Sequence, residues 1–234
     1  MEAGIHLNKG ANMKTAIILG ATGLTGGILL QKLIEDPRYS RIKLFSRSSV
    51  AVKDPKIEEH LVDLFKLEEQ KHLFTADEVF CCIGTTKSKT SDEETYRKID
   101  YGIPVTAAKI AAENTVPVFA VISALGADAE SRIFYNRTKG EMERDILKQG
   151  IEKTYIFRPS LIGGDRVETR TGENIAKKIM KVINPLMIGP LEKYRSIDPE
   201  VIAAALINVA NDGYSSTIIP SDEIKQIAAR ENKI

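Results

Sequence analysis

The chain has 234 residues, of which 43% are hydrophobic and 28% are charged, as in an ordinary globular protein. A net charge of +1 gives no support for a nucleic-acid or membrane-surface partner, and no run reaches the roughly 18 apolar residues of a membrane helix. We therefore expect a flexible leader over residues 1–12 and a single domain over residues 13–234 that acts on a small molecule.

The first predicted strand, at residues 16–19, runs into three glycines, Gly20, Gly23 and Gly26, and a helical pattern begins at Leu24. In such a unit the first glycine permits the turn, the second lets a pyrophosphate approach the backbone, and the third lets the helix pack close to the strand. The spacing is GxxGxxG rather than GxGxxG, and a turn without a ligand has the same pattern. The flanking strand and helix favour nucleotide binding at the helix N-terminus.

The next two predicted strands, at 42–46 and 59–62, end at further candidate cofactor residues. Arg47 stands about twenty residues beyond the glycines, without an acidic neighbour. An acidic residue there binds the ribose hydroxyls of NAD, whereas arginine accommodates a 2′-phosphate, so Arg47 favours NADP unless it is only a surface arginine. Asp63 is placed either to approach the adenine or to cap a short helix at 66–73.

The apolar run at 78–83 predicts a strand buried on both faces. After it, Gly84 lets the backbone lie along the cofactor, and Thr85 and Thr86 are in reach of phosphate or ribose.

The chain has two cysteines, Cys81 and Cys82, which are neighbours in this predicted strand. They point to opposite faces and are poorly placed to pair, so we expect reduced thiols and a cytoplasmic setting. The three histidines are scattered, which predicts no metal site.

The remaining pattern alternates helices and strands. It predicts a helix over 91–114 that Ser91 caps and Pro104 kinks, a strand at 118–123, a helix at 134–149, a strand at 154–157, helices at 173–183 and 198–211, a strand at 216–219, and a last helix capped by Ser221. This alternation indicates an α/β fold, a doubly wound parallel sheet flanked by helices. The less regular residues 161–197 form the expected substrate side.

Three residues suggest chemistry. Ser123 ends the predicted fifth strand, and Tyr135 and Lys139 are four apart in the helix that follows, so they share one face. Hydride transfer to a carbonyl needs a proton donor, and a nearby ammonium lowers the tyrosine pKa from its free value of about 10. Ser123 would orient the substrate oxygen, although YxxxK alone also occurs on exposed helix faces.

These motifs resemble a known family. GATGLTG, Ser123 and YNRTK are similar to the atypical short-chain dehydrogenase/reductases. The segments CCIGTTKSK, ISALGADAESRIFYNRTKGEMERDI and IFRPSLIGGDRVETRTGE resemble, more narrowly, the NAD(P)H-binding oxidoreductases of the human Tat-interacting protein subfamily. The resemblance covers about residues 13–212 and implies a Rossmann fold.

The resemblance also implies NADP(H) as the cofactor, preferred over NAD(H), and a Ser–Tyr–Lys site of Ser123, Tyr135 and Lys139 that reduces a small carbonyl or quinone. The implied cofactor-binding residues are Gly20, Thr22, Gly23, Leu24, Thr25, Gly26, Arg47, Asp63, Leu64, Gly84, Thr85, Thr86, Tyr135, Lys139, Pro159 and Leu161. The alternative function is an NADPH-binding, redox-sensing regulator with little turnover.

Two groups of residues have open roles. Arg166 and Arg170 are placed either to meet an anionic group of the substrate or to form surface ion pairs. Tyr96, Asp100 and Tyr101 lie on a helix that, in this superfamily, lines the cofactor groove or forms a dimer contact. The second of these roles would make the protein a homodimer. In this superfamily a proton relay usually uses an asparagine on that helix, and Asp100 is only a loose candidate for that role.

Overall fold

The structure is a computed structural model that describes residues 13–86, 89–163 and 195–230. In these ranges seven parallel strands form one sheet in the order β3-β2-β1-β4-β5-β6-β7. The strands are β1 (Lys14–Leu19), β2 (Tyr39–Ser46), β3 (Ile57–Leu61), β4 (Glu78–Cys81), β5 (Val118–Ile122), β6 (Lys153–Arg158) and β7 (Ile218–Pro220).

Helices connect these strands and cover the sheet. They are α1 (Leu24–Glu35), a 3-10 helix (Leu64–Leu73), α2 (Glu93–Arg97), a π-helical turn (Lys98–Gly102), α3 (Ile103–Glu113), α4 (Phe134–Leu147), α5 (Pro199–Asp212) and α6 (Ser221–Ala228). Within the described ranges, none of them has the length and apolar character needed to cross a membrane.

The core has two halves, one on each face of the sheet. On one face α1, α5 and α6 bury residues such as Leu29, Leu206 and Ile224. On the other face α3 and α4 bury residues such as Ile110 and Met142. Helices on both faces of a parallel sheet confirm the predicted Rossmann-type, doubly wound fold.

The strand order reverses between β1 and β4, which both pair with their neighbours in parallel. In open sheets of this kind, ligands bind outside the carboxyl ends of the strands at such a switch point. The glycine turn that follows β1 lies at this position, so the fold places it where a cofactor is expected.

The predicted long helix over 91–114 is broken by a π-helical turn. Pro104 has no N–H to donate to the Asp100 carbonyl, and its ring crowds that carbonyl, so the regular ladder opens there. The predicted cap at Ser91 was wrong by one residue, because Asp92 is the N-cap and accepts from the Thr95 N–H at 2.7 Å.

Other boundaries differ in smaller ways. Ser221 is the first residue of α6 rather than its cap, and its hydroxyl donates to Ser160 Oγ at 3.0 Å. The predicted helix at 173–183 and residues 1–12 lie outside the described residues.

Candidate active site

The turn after β1 is built from glycines that leave no room for side chains. Gly20 has φ +90°, and a Cβ there would lie 2.8 Å from the Cys82 carbonyl oxygen. A Cβ on Gly26 would lie 2.2 Å from the Gly20 carbonyl oxygen. The structural roles predicted for these two glycines, the tight turn and the close packing of helix on strand, are confirmed.

The N-terminus of α1 is open at this turn. Gly23 is the N-cap, no side chain caps the helix, and its first turn contains no acidic residue. The first N–H groups of a helix have no partner within the helix and carry partial positive charge. Leu24 and Thr25 stand at this end, so their backbone N–H groups are available to an anion.

Arg47 directly follows β2, and the residues after it border an open cleft of about 390 Å³. The cleft lies between the glycine turn and the loop after β2, and its lining includes Thr22, Gln31 and Ser48. Arg47 is exposed and forms no hydrogen bond or ion pair with any residue in the described ranges. Its guanidinium is therefore available to a ligand.

Glu59 on β3 holds the loop that borders the cleft, a role the sequence did not reveal. Its carboxylate accepts from Ser49 Oγ at 2.6 Å and from the Val50 N–H at 2.7 Å. These hydrogen bonds, led by the one from Ser49, lower the pKa of Glu59. The Glu59 carboxylate is thus engaged by the loop that follows β2.

Asp63 and Leu64 follow β3. Asp63 is the N-cap of the 3-10 helix and accepts from the Phe65 N–H at 3.0 Å, which is the capping role considered for it. Leu64 is buried.

The strongest electrostatic feature of the site is a buried ion pair between Lys139 and Asp100. Lys139 Nζ lies 2.9 Å from Asp100 Oδ1, and both side chains are less than 5% exposed. Burial alone would lower the pKa of Lys139, but Asp100 and then Tyr135 outweigh it, so the pKa is raised. Lys139 is therefore held as an ammonium.

Asp100 also connects Lys139 to the loop after β4. Its second carboxylate oxygen accepts from the Thr85 N–H at 2.8 Å. A Cβ on Gly84 would lie 3.5 Å from Asp100 Oδ1 and 4.0 Å from Lys139 Nζ. The predicted cofactor loop and the predicted catalytic lysine are thus neighbours, and Asp100 is the residue that joins them.

Tyr135 lies one helical turn before Lys139 and is 41% exposed. Its ring packs edge-on against the buried Tyr96 ring, with centroids 6.2 Å apart. The Tyr96 hydroxyl donates to the Thr85 carbonyl oxygen at 3.5 Å. The α2 segment thereby supports both the tyrosine and the loop.

Ser123 lies directly after β5, but its hydroxyl is engaged on the inner side of α4. It donates to the buried Glu143 carboxylate. Glu143 also binds Arg158, which ends β6, with Nε–Oε1 at 3.0 Å and Nη2–Oε2 at 2.5 Å. The sequence analysis missed Glu143 and Arg158, although Glu143 shares the helix face of Lys139 by its four-residue spacing.

Gly140 is a third residue that the sequence analysis missed. A Cβ there would lie 2.1 Å from the Ala129 nitrogen and 2.2 Å from the Asp128 carbonyl carbon. Only glycine lets α4 approach the 124–131 loop this closely, and the signal was a glycine inside an otherwise helical pattern.

The remaining predicted residues lie around this edge. Pro159 accepts from the Leu125 N–H at 3.0 Å, which joins the ends of β5 and β6, and Leu161 is exposed. Thr86 accepts from the Lys89 N–H at 2.9 Å. Arg166 and Arg170 lie outside the described residues.

This arrangement has the parts of a proton-transfer site beside a nucleotide cradle. Tyr135, which is 41% exposed, stands one helical turn from the buried Lys139 ammonium, and an open helix N-terminus stands at the switch point of the sheet. These features define the class as a Rossmann protein of the short-chain dehydrogenase/reductase type.

No family model matches the chain. It is 31% identical to "Protein FMP52, mitochondrial" of Candida albicans over 228 residues, which cover 92% of this chain and 98% of that protein. It is 31% identical to "Protein HTATIP2" of Rattus norvegicus over 169 residues, which cover 70% of this chain and 69% of that protein. The chain therefore belongs to the atypical short-chain dehydrogenase/reductase family, in the group of FMP52 and HTATIP2.

A solved structure supports the fold. A short-chain dehydrogenase/reductase superfamily protein from Agrobacterium tumefaciens with bound NAD superposes with a TM-score of 0.66 at 12% identity, over 87% of this chain and 76% of that one.

The relatives correct one prediction. The cytoplasmic location inferred from the two cysteines is contradicted, because the fungal relatives are named as mitochondrial proteins. Reduced thiols do not distinguish the cytoplasm from other reducing compartments.

Proposed function

We propose that the protein is an NADPH-dependent oxidoreductase that transfers hydride to a small carbonyl compound or a quinone. The observation that carries the proposal is the buried Lys139–Asp100 pair, which stands one helical turn from the exposed Tyr135 and beside Gly84. A buried ammonium held one helical turn from an exposed tyrosine is an arrangement that suits proton donation to a developing alkoxide.

The cradle at the switch point fits a dinucleotide. Side chains at Gly20 and Gly26 would occupy the turn, and the α1 N-terminus carries no competing cap. These glycines and the N–H groups after Gly23 would hold the pyrophosphate, and Arg47 would meet a 2′-phosphate. NADPH, when bound there, supplies the hydride.

In this proposal the side chains of the site transfer the proton and position the substrate. Tyr135 donates a proton to the substrate oxygen, and the Lys139 ammonium favours the tyrosinate that remains. Asp100 keeps Lys139 charged and in place. Ser123 contacts the same oxygen from the end of β5.

Titrations with NADPH and NADH, followed by nicotinamide fluorescence, test the cofactor. We expect tight NADPH binding and weaker NADH binding, and Arg47→Leu should weaken only NADPH. Equal affinity for both would remove Arg47 from the proposal, and binding of neither would refute the proposal.

A matched glycine pair tests the cradle itself. Gly26→Ala should abolish NADPH binding, since its Cβ would lie 2.2 Å from the Gly20 carbonyl oxygen. Gly27→Ala is the control, because its nearest contact would be 3.3 Å, to the Ala21 carbonyl oxygen. Equal losses in both would mean that the turn is only a general packing element.

Turnover is tested separately, with NADPH and 9,10-phenanthrenequinone among a panel of quinones and carbonyl compounds. Reduction of any member supports the oxidoreductase. A protein that binds NADPH tightly and reduces none of the panel would instead be the redox-sensing regulator. A partner whose binding follows the NADPH to NADP+ ratio would identify that role.

A further inference from the structure

The loop after β2 forms one wall of the open cleft beside the glycine turn. Residues 48–52 line the cleft of about 390 Å³ on this side, and Thr22 of the turn and Gln31 of α1 belong to the rest of its lining. A group that extends from the glycine turn into the cleft therefore meets the backbone and side chains of this loop.

The start of the loop carries hydrogen-bond donors that are open to a ligand. The N–H groups of Ser48 and Ser49 donate to no residue in the ranges that the structure describes, and Arg47, directly before them, also has no partner there. The side chains of all three residues are exposed. Successive backbone N–H groups beside a guanidinium suit an anion with several acceptor oxygens, such as a phosphate.

Two side chains from the sheet fix the shape of this loop. The buried Ser46 hydroxyl donates to the Ser48 carbonyl oxygen at 2.7 Å. The Glu59 carboxylate on β3 accepts from Ser49 Oγ at 2.6 Å and from the Val50 N–H at 2.7 Å. The open donors thus lie on a segment whose two ends are anchored before any ligand arrives.

We propose that Glu59 is a positioning residue for cofactor specificity, which holds the loop so that Arg47 and the N–H groups of Ser48 and Ser49 bind the 2′-phosphate of NADPH. The charge of the carboxylate is partly offset by the Lys53 ammonium, whose Nζ lies 3.7 Å from Oε2. This proposal rests on the proposed function, because it takes the adenosine end of the cofactor to lie at this cleft.

The sign of the effect of Glu59→Gln tests the proposal. NADPH and NADH are titrated separately, and the ratio of their Kd values reports the contribution of the 2′-phosphate. The variant should bind NADPH about tenfold more weakly, the worth of about one hydrogen bond to a charged group, and NADH within about twofold of wild type. A carboxylate that acted only by its charge would repel the phosphate, so its removal would instead tighten NADPH. Tighter NADPH binding, or an unchanged ratio, would overturn the proposal.

Glu58→Gln is the matched control. Glu58 is the preceding residue of β3, so its side chain points to the opposite face of the sheet, where it lies 2.9 Å from His60 Nε2 and 3.8 Å from Arg41 Nε. The variant loses the same charge and keeps both contacts of Glu59 with the loop, so its Kd ratio should stay within about twofold of wild type. A fall as large as that of Glu59→Gln would overturn the proposal.

A double-variant cycle with Ser49→Ala examines the contact itself. Ser49 is exposed, so its replacement should not affect folding, and the single variant should also lower the Kd ratio. In the Glu59→Gln background the same replacement should change the ratio by less than about twofold, because the shared hydrogen bond is already lost. Additive losses, or no effect of Ser49→Ala alone, would overturn the role of Glu59.

These outcomes differ from failure of the proposed function. A wild-type protein that binds neither NADPH nor NADH would refute the oxidoreductase, whereas one that binds both equally would overturn only the role given to this loop. Circular dichroism confirms that each variant is folded.

Discussion

Polar networks lie at both the amino and the carboxyl ends of the strands, but only the one at the carboxyl ends leads to an exposed tyrosine. At the amino edge, Lys14 and the Tyr39 hydroxyl both donate to Glu78, each at 2.5 Å. Asn211 donates to Tyr39 at 2.7 Å and accepts from Lys14 at 2.8 Å. Tyr39 and Glu78 are buried and the Lys14 side chain is 30% exposed, so this network joins the starts of three neighbouring strands without an exposed hydroxyl.

At the carboxyl ends of the strands, the Asp100 and Lys139 side chains are also buried, and Asp100 accepts from the Thr85 N–H. It leads to Tyr135, which is 41% exposed on the same helix. A buried tyrosine–carboxylate or lysine–carboxylate contact is therefore no evidence for an active site. The difference lies in the exposure of Tyr135 and in Gly84 beside the buried ion pair.

The comparison predicts the largest effect at the accessible tyrosine. Tyr135→Phe should reduce turnover by about 10²–10⁴-fold, the usual contribution of a general acid, because the proton donor is lost. NADPH affinity should stay within about twofold and the urea midpoint should be unchanged, since surface changes cost little. Steady-state kinetics with a quinone that the wild type reduces would measure the loss of turnover. Full activity in the variant would refute the proposed mechanism.

Removing the counter-ion of Lys139 should have the next largest effect, on stability. Asp100→Ala leaves a buried ammonium without its partner and should cost about 3–5 kcal/mol in urea unfolding. The double variant Asp100→Ala/Lys139→Met should recover most of that loss, because no buried charge remains. A double variant as unstable as the single one would mean that Asp100 acts through the Thr85 loop instead.

The network at the amino ends of the strands should respond in the opposite way from Tyr135. Tyr39→Phe removes the hydroxyl that joins Glu78 and Asn211 and should cost about 1–3 kcal/mol of unfolding free energy. NADPH affinity should be unaffected, because this network lies at the far edge of the sheet. A loss of cofactor affinity at constant stability would contradict the division between the two edges.

The smallest effect is a contrast in pH dependence between two buried lysines. Lys43 donates to three neutral oxygens, of Leu73 and Thr75, each at 3.0 Å, and burial lowers its pKa. Lys139 has a carboxylate partner and a raised pKa. Each slope is limited to about 1.4 kcal/mol per pH unit.

For Lys139, the unfolded chain loses the proton first, at the ordinary value of 10.5. The stability of wild type relative to Lys139→Met should therefore be complete below that pH and fall as pH rises through the folded value. For Lys43, the unfolded chain holds the proton longer, so stability relative to Lys43→Met should rise with pH up to 10.5. Unfolding series of the three proteins check the signs, and parallel slopes would refute the contrast.

Local patterns in the sequence were sufficient for the fold class and the glycine turn. The apolar strands, the glycine spacing and the helix after Leu24 are encoded within a few residues, and the structure has them with shifts of one to three residues at their ends. Tyr135 and Lys139 were also recognisable, because a four-residue spacing fixes a shared helix face.

The partners of those residues were not recognisable, because they come together only when distant segments fold. Asp100 meets Lys139 across 39 positions of sequence, aimed by the π-helical turn that Pro104 imposes. Ser123, Glu143 and Arg158 meet because β5, β6 and α4 pack side by side. Sequence spacing determines which side chains share one element, whereas packing between elements decides which charges are paired and to which partner a buried hydroxyl donates.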